Sequence, residues 1–409
     1  MVAEERTRIT YRNERWRAVS AGVLESAGTA FLLLIAVKWF HAGAIAKALV
    51  AGGGSFGLML SPVMVGVVSR LGWPTSRAAG RLAFIGCGLF FLMAIFPFIG
   101  VFVVGSVLAM TMSTAAIPLL THLYHENYPE SLRGRLFSRT VMIRIASAAI
   151  FSYAAGAFLD VDIGRFRWLL VAFAMAFALA GWKLIHSPSS PLHELEGTHP
   201  FRSLRFARSD PMFRRTLISW MLLGFGNLMM VPIRVEYLAN PGHGLGLSVE
   251  KVALIVGVVP NLARFVMSPV WGWFFDHLNF FLLRVVLNIG FAVGILSFFT
   301  SDSYTGLIIG AVVYGISMAG GDIAWSLWVT KFAPPQRVAD YMSVHTFFTG
   351  LRGIAAPIAA FYFLGLFPVV YLGYFSAALI VVASLLLLPE IRINRFGRKS
   401  GALTEEVSD

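Results

Sequence analysis

The chain has 409 residues, 57% hydrophobic and 13% charged, with a mean hydropathy of +0.74 and a formal net charge of +12. A soluble domain carries roughly 25% charged residues, and a water-facing surface cannot hide this much apolar side chain; a soluble globular fold is excluded and lipid is the expected solvent. No recognition motif accompanies the basic surplus and no phosphate-binding loop occurs, which argues against a nucleic-acid binder and against ATP hydrolysis.

In chain order, Met1 to Arg17 is polar and lacks the apolar core and cleavage site of a signal peptide. Apolar runs of about 20 residues come next, the length that spans a hydrocarbon core. They are predicted at 17–40, 44–69, 79–99, 101–124, 137–159 and 166–186. After the break from Ser187 to Phe213 they continue at 214–238, 250–275, 281–300, 304–331, 341–365 and 367–389. The lone Cys87 lies in the third run, so no intrachain disulfide is expected. The predicted fold is an all-α membrane protein with about 12 transmembrane helices in two pseudo-symmetric six-helix bundles. Its parts are 1–186, a central loop 187–213, a second bundle 214–391 and a tail 392–409.

Lys and Arg in short loops set orientation. Arg6, Arg8, Arg12, Arg15 and Arg17, Arg70, Arg77 and Arg81, Arg133, Arg135 and Arg139, Arg202 to Arg215, and Arg392 to Lys399 all fall on one side. The other side keeps chiefly Lys38, Lys47, Arg165, Arg167 and Lys251. The bias predicts both termini and the central loop in the cytoplasm of an inner-membrane protein, with the surplus charge meeting anionic lipid heads. Arg202 to Arg208, interleaved with Phe201, Leu204 and Phe206, suggests an amphipathic surface helix. His193, Glu194, Glu196 and His199 fit no usual zinc spacing, and His122 and His125 read as interfacial; no metal and no cofactor is expected.

An internal repeat is visible. Ser61-Pro62-Val63 recurs as Ser268-Pro269-Val270, and at the same offset Arg77 meets Arg284. At a slightly shorter offset Pro129 meets Pro334 and Ser138 meets Ser343. Parallel repeats of six helices are a transporter architecture with the solute site between the halves. With Ser69-Arg70-Leu71-Gly72 and Arg77 after the second run, and Gly272 to Asp276 and His277 after the eighth, the chain resembles the major facilitator superfamily, whose loop motif has the form Gly-x-x-x-Asp-Arg-x-Gly-Arg-Arg. Ser69 stands where that motif usually carries Asp, the fourth helix lacks the family's proton-related Arg, and Ala154-Ala155-Gly156 replaces the Gly-Pro pair of its drug-proton antiporters. These departures argue against drug efflux. The resemblance implies a gate in which Asp276 meets the start of the fifth helix near Arg135 and Arg139, with Arg77 on the matching loop.

Ionisable groups inside the spans are the most informative, each costing at least ~2.5–3.5 kcal/mol at a helix centre. They are Glu25, Arg144, Arg264, Asp322 and Arg352, with Arg234 and Glu236 near the outer end of the seventh run; the third, sixth, ninth and twelfth runs read as free of deep charge. The resemblance makes those four outer supports and the others cavity-lining. Helical spacing groups Asn261, Arg264, Ser268 and Trp271; Met318, Asp322, Trp325 and Ser326; and His345, Thr349 and Arg352. Three Arg against two carboxylates leave one guanidinium to anchor a carboxylate or phosphate. Arg264, Arg352, Arg144, Asn261, Trp325 and His345 are the candidate solute-binding side chains. Glu25 and Asp322 are the candidate proton sites, because a low-dielectric cavity favours a neutral carboxyl. The predicted function is secondary transport of a small polar or anionic solute by a monomer, by proton-coupled uptake and without enzymatic activity. The competing readings are efflux by proton antiport and a non-transporting receptor or assembly protein.

Overall fold

The structure, a computed structural model, describes residues 3–191, 202–331, 333 and 338–392. Twelve helices are long and apolar enough to cross a bilayer: α1 (Glu4–Lys38), α2 (Ala44–Arg70), α3 (Thr75–Ile95), α4 (Ile99–Asn127), α5 (Leu132–Val161), α6 (Ile163–Ile185), α7 (Pro211–Ala239), α8 (Val249–Phe275), α9 (Phe280–Phe299), α10 (Tyr304–Trp325), α11 (Tyr341–Leu364) and α12 (Val369–Ile391). No strand occurs among the described residues. Lipid offers the backbone no hydrogen-bond partner, so each segment must satisfy its own N–H and C=O groups, as a helix does.

The helices cover the predicted runs, with one informative excess. The first begins at Glu4 rather than near residue 17. Its polar first turns are held by an ion pair of Arg6 with Glu126 of α4 and by Glu14, which pairs within the helix with Arg17 Nη2 at 2.5 Å and accepts from the Tyr124 hydroxyl of α4 at 2.7 Å. Burial, with Glu14 adding to it, pushes the nearby Tyr128 phenol above its usual value. Hydropathy stops at the apolar run; these pairings carry the helix past it. Arg202–Arg205 and Phe206–Ser209 form two short helical turns, and the Phe206 ring stacks on Tyr341 of α11 at 5.0 Å. The segment predicted to lie on the membrane surface thus docks on the second set of helices. The His193, Glu194, Glu196 and His199 group lies outside the described residues.

Packing repeats with a period of six helices. In the first set α1 packs on α5 and α6, α2 on α4, and α3 on α4 and α6. In the second, α7 packs on α11 and α12, α8 on α10, and α9 on α10 and α12. The Ser-Pro repeat shares its geometry too: Ser61 Oγ donates to the Gly57 carbonyl at 2.9 Å and Ser268 Oγ to the Arg264 carbonyl at 2.6 Å, each one turn back and beside a helix-interior proline. Within each set, interhelical hydrogen bonds join the spans. Thr111 donates to Gly53 O at 3.1 Å between α4 and α2, and Ser219 donates to Ala383 O at 2.8 Å between α7 and α12.

The two sets meet where α2 packs on α11, α5 on α8, and α1 on α7. The named close approaches cluster toward one end. Lys47 Nζ of α2 lies 2.6 Å from Glu236 Oε1 of α7, and the Glu250 backbone N–H donates to Asp160 Oδ1 at 3.1 Å. Gly156 of α5 faces Ala253 of α8 at this same end. The sets are therefore sealed at the end carrying the loops near 41–43 and 240–248, opposite the end that carries the arginine-rich loops.

Candidate functional site

Four charged side chains converge between the two sets. Arg264 of α8 donates through Nε to Asp322 Oδ2 of α10 at 2.6 Å and through Nη1 to Glu25 Oε1 of α1. Glu25 Oε2 lies 3.1 Å from Arg144 Nε of α5. Two guanidiniums and two carboxylates thus form one neutral chain, half of it from each set. Asn261 fixes one side: its Nδ2 donates to the Gly257 carbonyl at 2.8 Å, which leaves Oδ1 to accept from Arg264 Nη1 at 3.3 Å. The Arg264 side chain is 5% exposed, whereas Asp322 is 33% exposed and Glu25 21%. The guanidinium forms the buried centre and the carboxylates are partly exposed around it.

Local backbone places these groups. Glu25 sits just before a π-helical turn, Ala27–Phe31, and the Asn261–Arg264 stripe comes after another, Leu254–Val258; the two turns touch. A π-turn widens a helix by one residue and rotates the side chains beyond it, and such turns recur at functional sites. Gly22 brings α1 against α5, since a Cβ there would overlap the Arg144 carbonyl. That close approach delivers Glu25 to Arg144.

Arg352, His345 and Trp325 stand apart from this chain. Arg352 of α11 donates through Nη1 to the Trp220 carbonyl of α7. The His345 ring lies 5.6 Å from Trp325 and 5.3 Å from Trp220, and the side chain is fully buried. The ninth helix, read from sequence as free of deep charge, instead buries Arg284 beneath Trp220, with Cζ 3.5 Å from the ring. Arg284 lies so near the start of the apolar run that hydropathy reads it as interfacial. The pairing of Arg77 with Arg284 in the repeat was the available signal, but Arg77 is exposed and Arg284 is not.

The sequence matches the family model described as Major Facilitator Superfamily over residues 75–357. The chain belongs to the Major Facilitator Superfamily. Comparison with curated proteins finds no match. Among solved structures it resembles a mutant of the nucleoside transporter NupG, with a TM-score of 0.74 at 13% identity over 93% of this chain and 99% of that one. It also resembles a D-xylose-proton symporter, with a TM-score of 0.69 at 16% identity over 93% and 96% of the two chains. The inward-open xylose transporter XylE from E. coli gives 0.65 at 14% identity over 95% and 96%. At these identities the likeness is one of fold.

In this superfamily member the sealed end holds a second charge group, whose partners the sequence did not reveal. Glu236 of α7 is fully buried and takes Lys47 of α2, His243 Nδ1 at 2.8 Å and Asn240 Nδ2 at 2.7 Å on one oxygen. Beside it, the Arg234 guanidinium lies over the Tyr314 ring of α10 at 3.3 Å. At the opposite end Arg77, Arg135 and Arg139 are exposed. The side chain of Asp276, expected near the start of α5, lies outside the described residues.

Proposed function

We propose that this membrane protein is a secondary transporter that takes up a small polar or anionic solute with a proton by alternating access. The observation that carries the reading is Arg264, a buried guanidinium shared between Glu25 of one six-helix set and Asp322 of the other. Protonating either carboxylate removes one of its two charge-assisted bonds, which frees N–H donors for a solute and loosens the tie between the sets. The proton and the solute thereby act on one group, as coupling requires. Sealing by Lys47–Glu236 at one end, with partly exposed carboxylates between the sets, fits a state open toward the arginine-rich loops.

In this reading that end is cytoplasmic, following the distribution of Arg, and the protein sits as a monomer in an inner membrane with anionic lipid at its basic rim. Residues 1–186 and 214–391 move as the two halves, joined by 187–213, with 392–409 as a cytoplasmic tail. Asp276 with Arg135, Arg139 and Arg77 forms the cytoplasmic gate on closure, and Asn261 and Arg144 complete the solute site around Arg264.

Flux into proteoliposomes, screened with small organic anions and sugar acids under an imposed pH gradient, tests this. Wild type should accumulate its solute against a gradient. Glu25→Gln should exchange solute across the membrane yet fail to accumulate it. If Glu25→Gln and Asp322→Asn both accumulate like wild type, the proton does not travel through this network and the reading falls.

A further inference from the structure

Arg284 is 1% exposed, and none of its three guanidinium nitrogens meets an acceptor among the described residues. Its stacking on Trp220 satisfies the face of the guanidinium and leaves the N–H edge unused. Such a contact falls well short of what desolvating a cation costs. Arg352 reaches the same tryptophan through the Trp220 carbonyl, and its Nε is also buried without an acceptor. It lies against α7 because residue 224 is glycine; a Cβ there would overlap the guanidinium. His345, fully buried between Trp220 and Trp325, bonds through neither ring nitrogen. No carboxylate among the described residues forms an ion pair with either arginine; Glu25 and Asp322 pair with Arg264.

A buried cation, a half-buried one and an imidazole facing no anion are unstable as they stand, and two helices of one set, α9 and α11, supply them. We propose that Arg284, Arg352 and His345 form a binding site for a small oxyanion, a carboxylate or phosphate group, inside the second six-helix set. Each guanidinium edge presents paired N–H donors whose spacing matches two oxygens of such a group. The His345 ring supplies a further donor, and Trp220 holds the Arg284 plane. The site is built within one set and requires no transport, so it stands independently of the coupling scheme above.

The test uses the full-length protein in phosphatidylcholine nanodiscs, titrated with inorganic phosphate at ionic strength fixed by chloride. Tm and tryptophan fluorescence are read, since Trp220 touches the site. Wild type should show a saturable rise in Tm, as binding to the folded state requires, with a fluorescence change of the same midpoint. Arg284→Gln should shift the midpoint at least about tenfold, the loss of one charge-assisted pairing. In the absence of phosphate it should be as stable as wild type or more so, because it removes an uncompensated charge; a purely structural arginine would give the opposite sign. Arg208→Gln, at an exposed position, should leave the midpoint unchanged. Should Arg284→Gln fail to elute as a monodisperse species, Arg284→Lys and His345→Gln provide the same comparison. A second arm replaces phosphate with nanodiscs containing phosphatidylglycerol. A stabilisation there that Arg284→Gln abolishes, without a phosphate response, assigns the oxyanion to a lipid head group. No saturable response in either arm, or equal responses from wild type and the folded Arg284 variants, overturns the proposal.

Discussion

Arg264 is the residue on which the two six-helix sets share charge, and its geometry makes an Arg-to-Lys exchange non-conservative. Its Nε and Nη1 reach two carboxylates in different directions, one on α10 and one on α1. A lysine ammonium keeps the charge but has no rigid fork to span both. Arg264→Lys should therefore hold one carboxylate and release the other. Solute affinity in a binding assay should fall by roughly tenfold or more, since a lost bond to a charged group is worth ~1.5–3 kcal/mol. Arg264→Ala should cost more, ~3–5 kcal/mol, by leaving Glu25 and Asp322 without the cation they share. A thermal-unfolding series that ranked Ala above Lys in stability would contradict this account.

At the scale of the helix, glycine decides which spans can touch. Gly22 has the Arg144 carbonyl, Ala148 and Ser147 of α5 where its Cβ would stand. Gly22→Leu should wedge α1 off α5, separate Glu25 from Arg144 and cost ~1–3 kcal/mol through overpacking. Gly88 of α3 is the control, because a Cβ there meets nothing within 4 Å. Gly88→Ala should be neutral or stabilising by up to ~1 kcal/mol, as a helical glycine carries excess backbone entropy when unfolded. Comparing the two Tm values checks the sign at each site; a Gly22→Leu protein as stable as wild type would show that α1 and α5 have room to spare. The two π-turns act at this scale as well: the turn after Glu25 packs on the turn before Arg264, and the second shifts the register of the Asn261–Arg264 stripe beyond it.

At the scale of the whole molecule, the buried Lys47–Glu236 pair works as a latch between the sets. Glu236→Gln leaves Lys47, itself 6% exposed, without its counter-ion. The sealed end should then open more often, and hydrogen exchange should rise across 44–50 and 234–239. Replacing both residues with methionine should restore much of the protection, because an apolar pair of similar volume avoids the desolvation cost. Unchanged exchange in Glu236→Gln would mean that the seal is held by the packing of α2 on α11 and α5 on α8 without this pair.

The sequence determined by itself that the chain lives in lipid, that it crosses roughly twelve times, and that its halves repeat. Each of these follows from local composition: run length against bilayer thickness, and Ser-Pro pairs recurring one half apart. It also named Glu25, Arg144, Arg264 and Asp322 as charges in need of partners, because the cost of a charge in hydrocarbon is set by position along the helix alone. Which charges meet was decided by the tertiary structure. Arg264 takes both carboxylates, and Arg352 turns instead toward the Trp220 carbonyl of α7, because rotation about each helix axis is fixed by neighbours that hydropathy does not record. Arg284 shows the limit most clearly: near the end of a span it reads as a side chain that snorkels to water, and only the Trp220 ring lying over it converts it into a buried cation. The helical extension from Glu4 to residue 17 has the same origin, since its Arg6–Glu126 ion pair and the Tyr124–Glu14 hydrogen bond join residues more than a hundred positions apart.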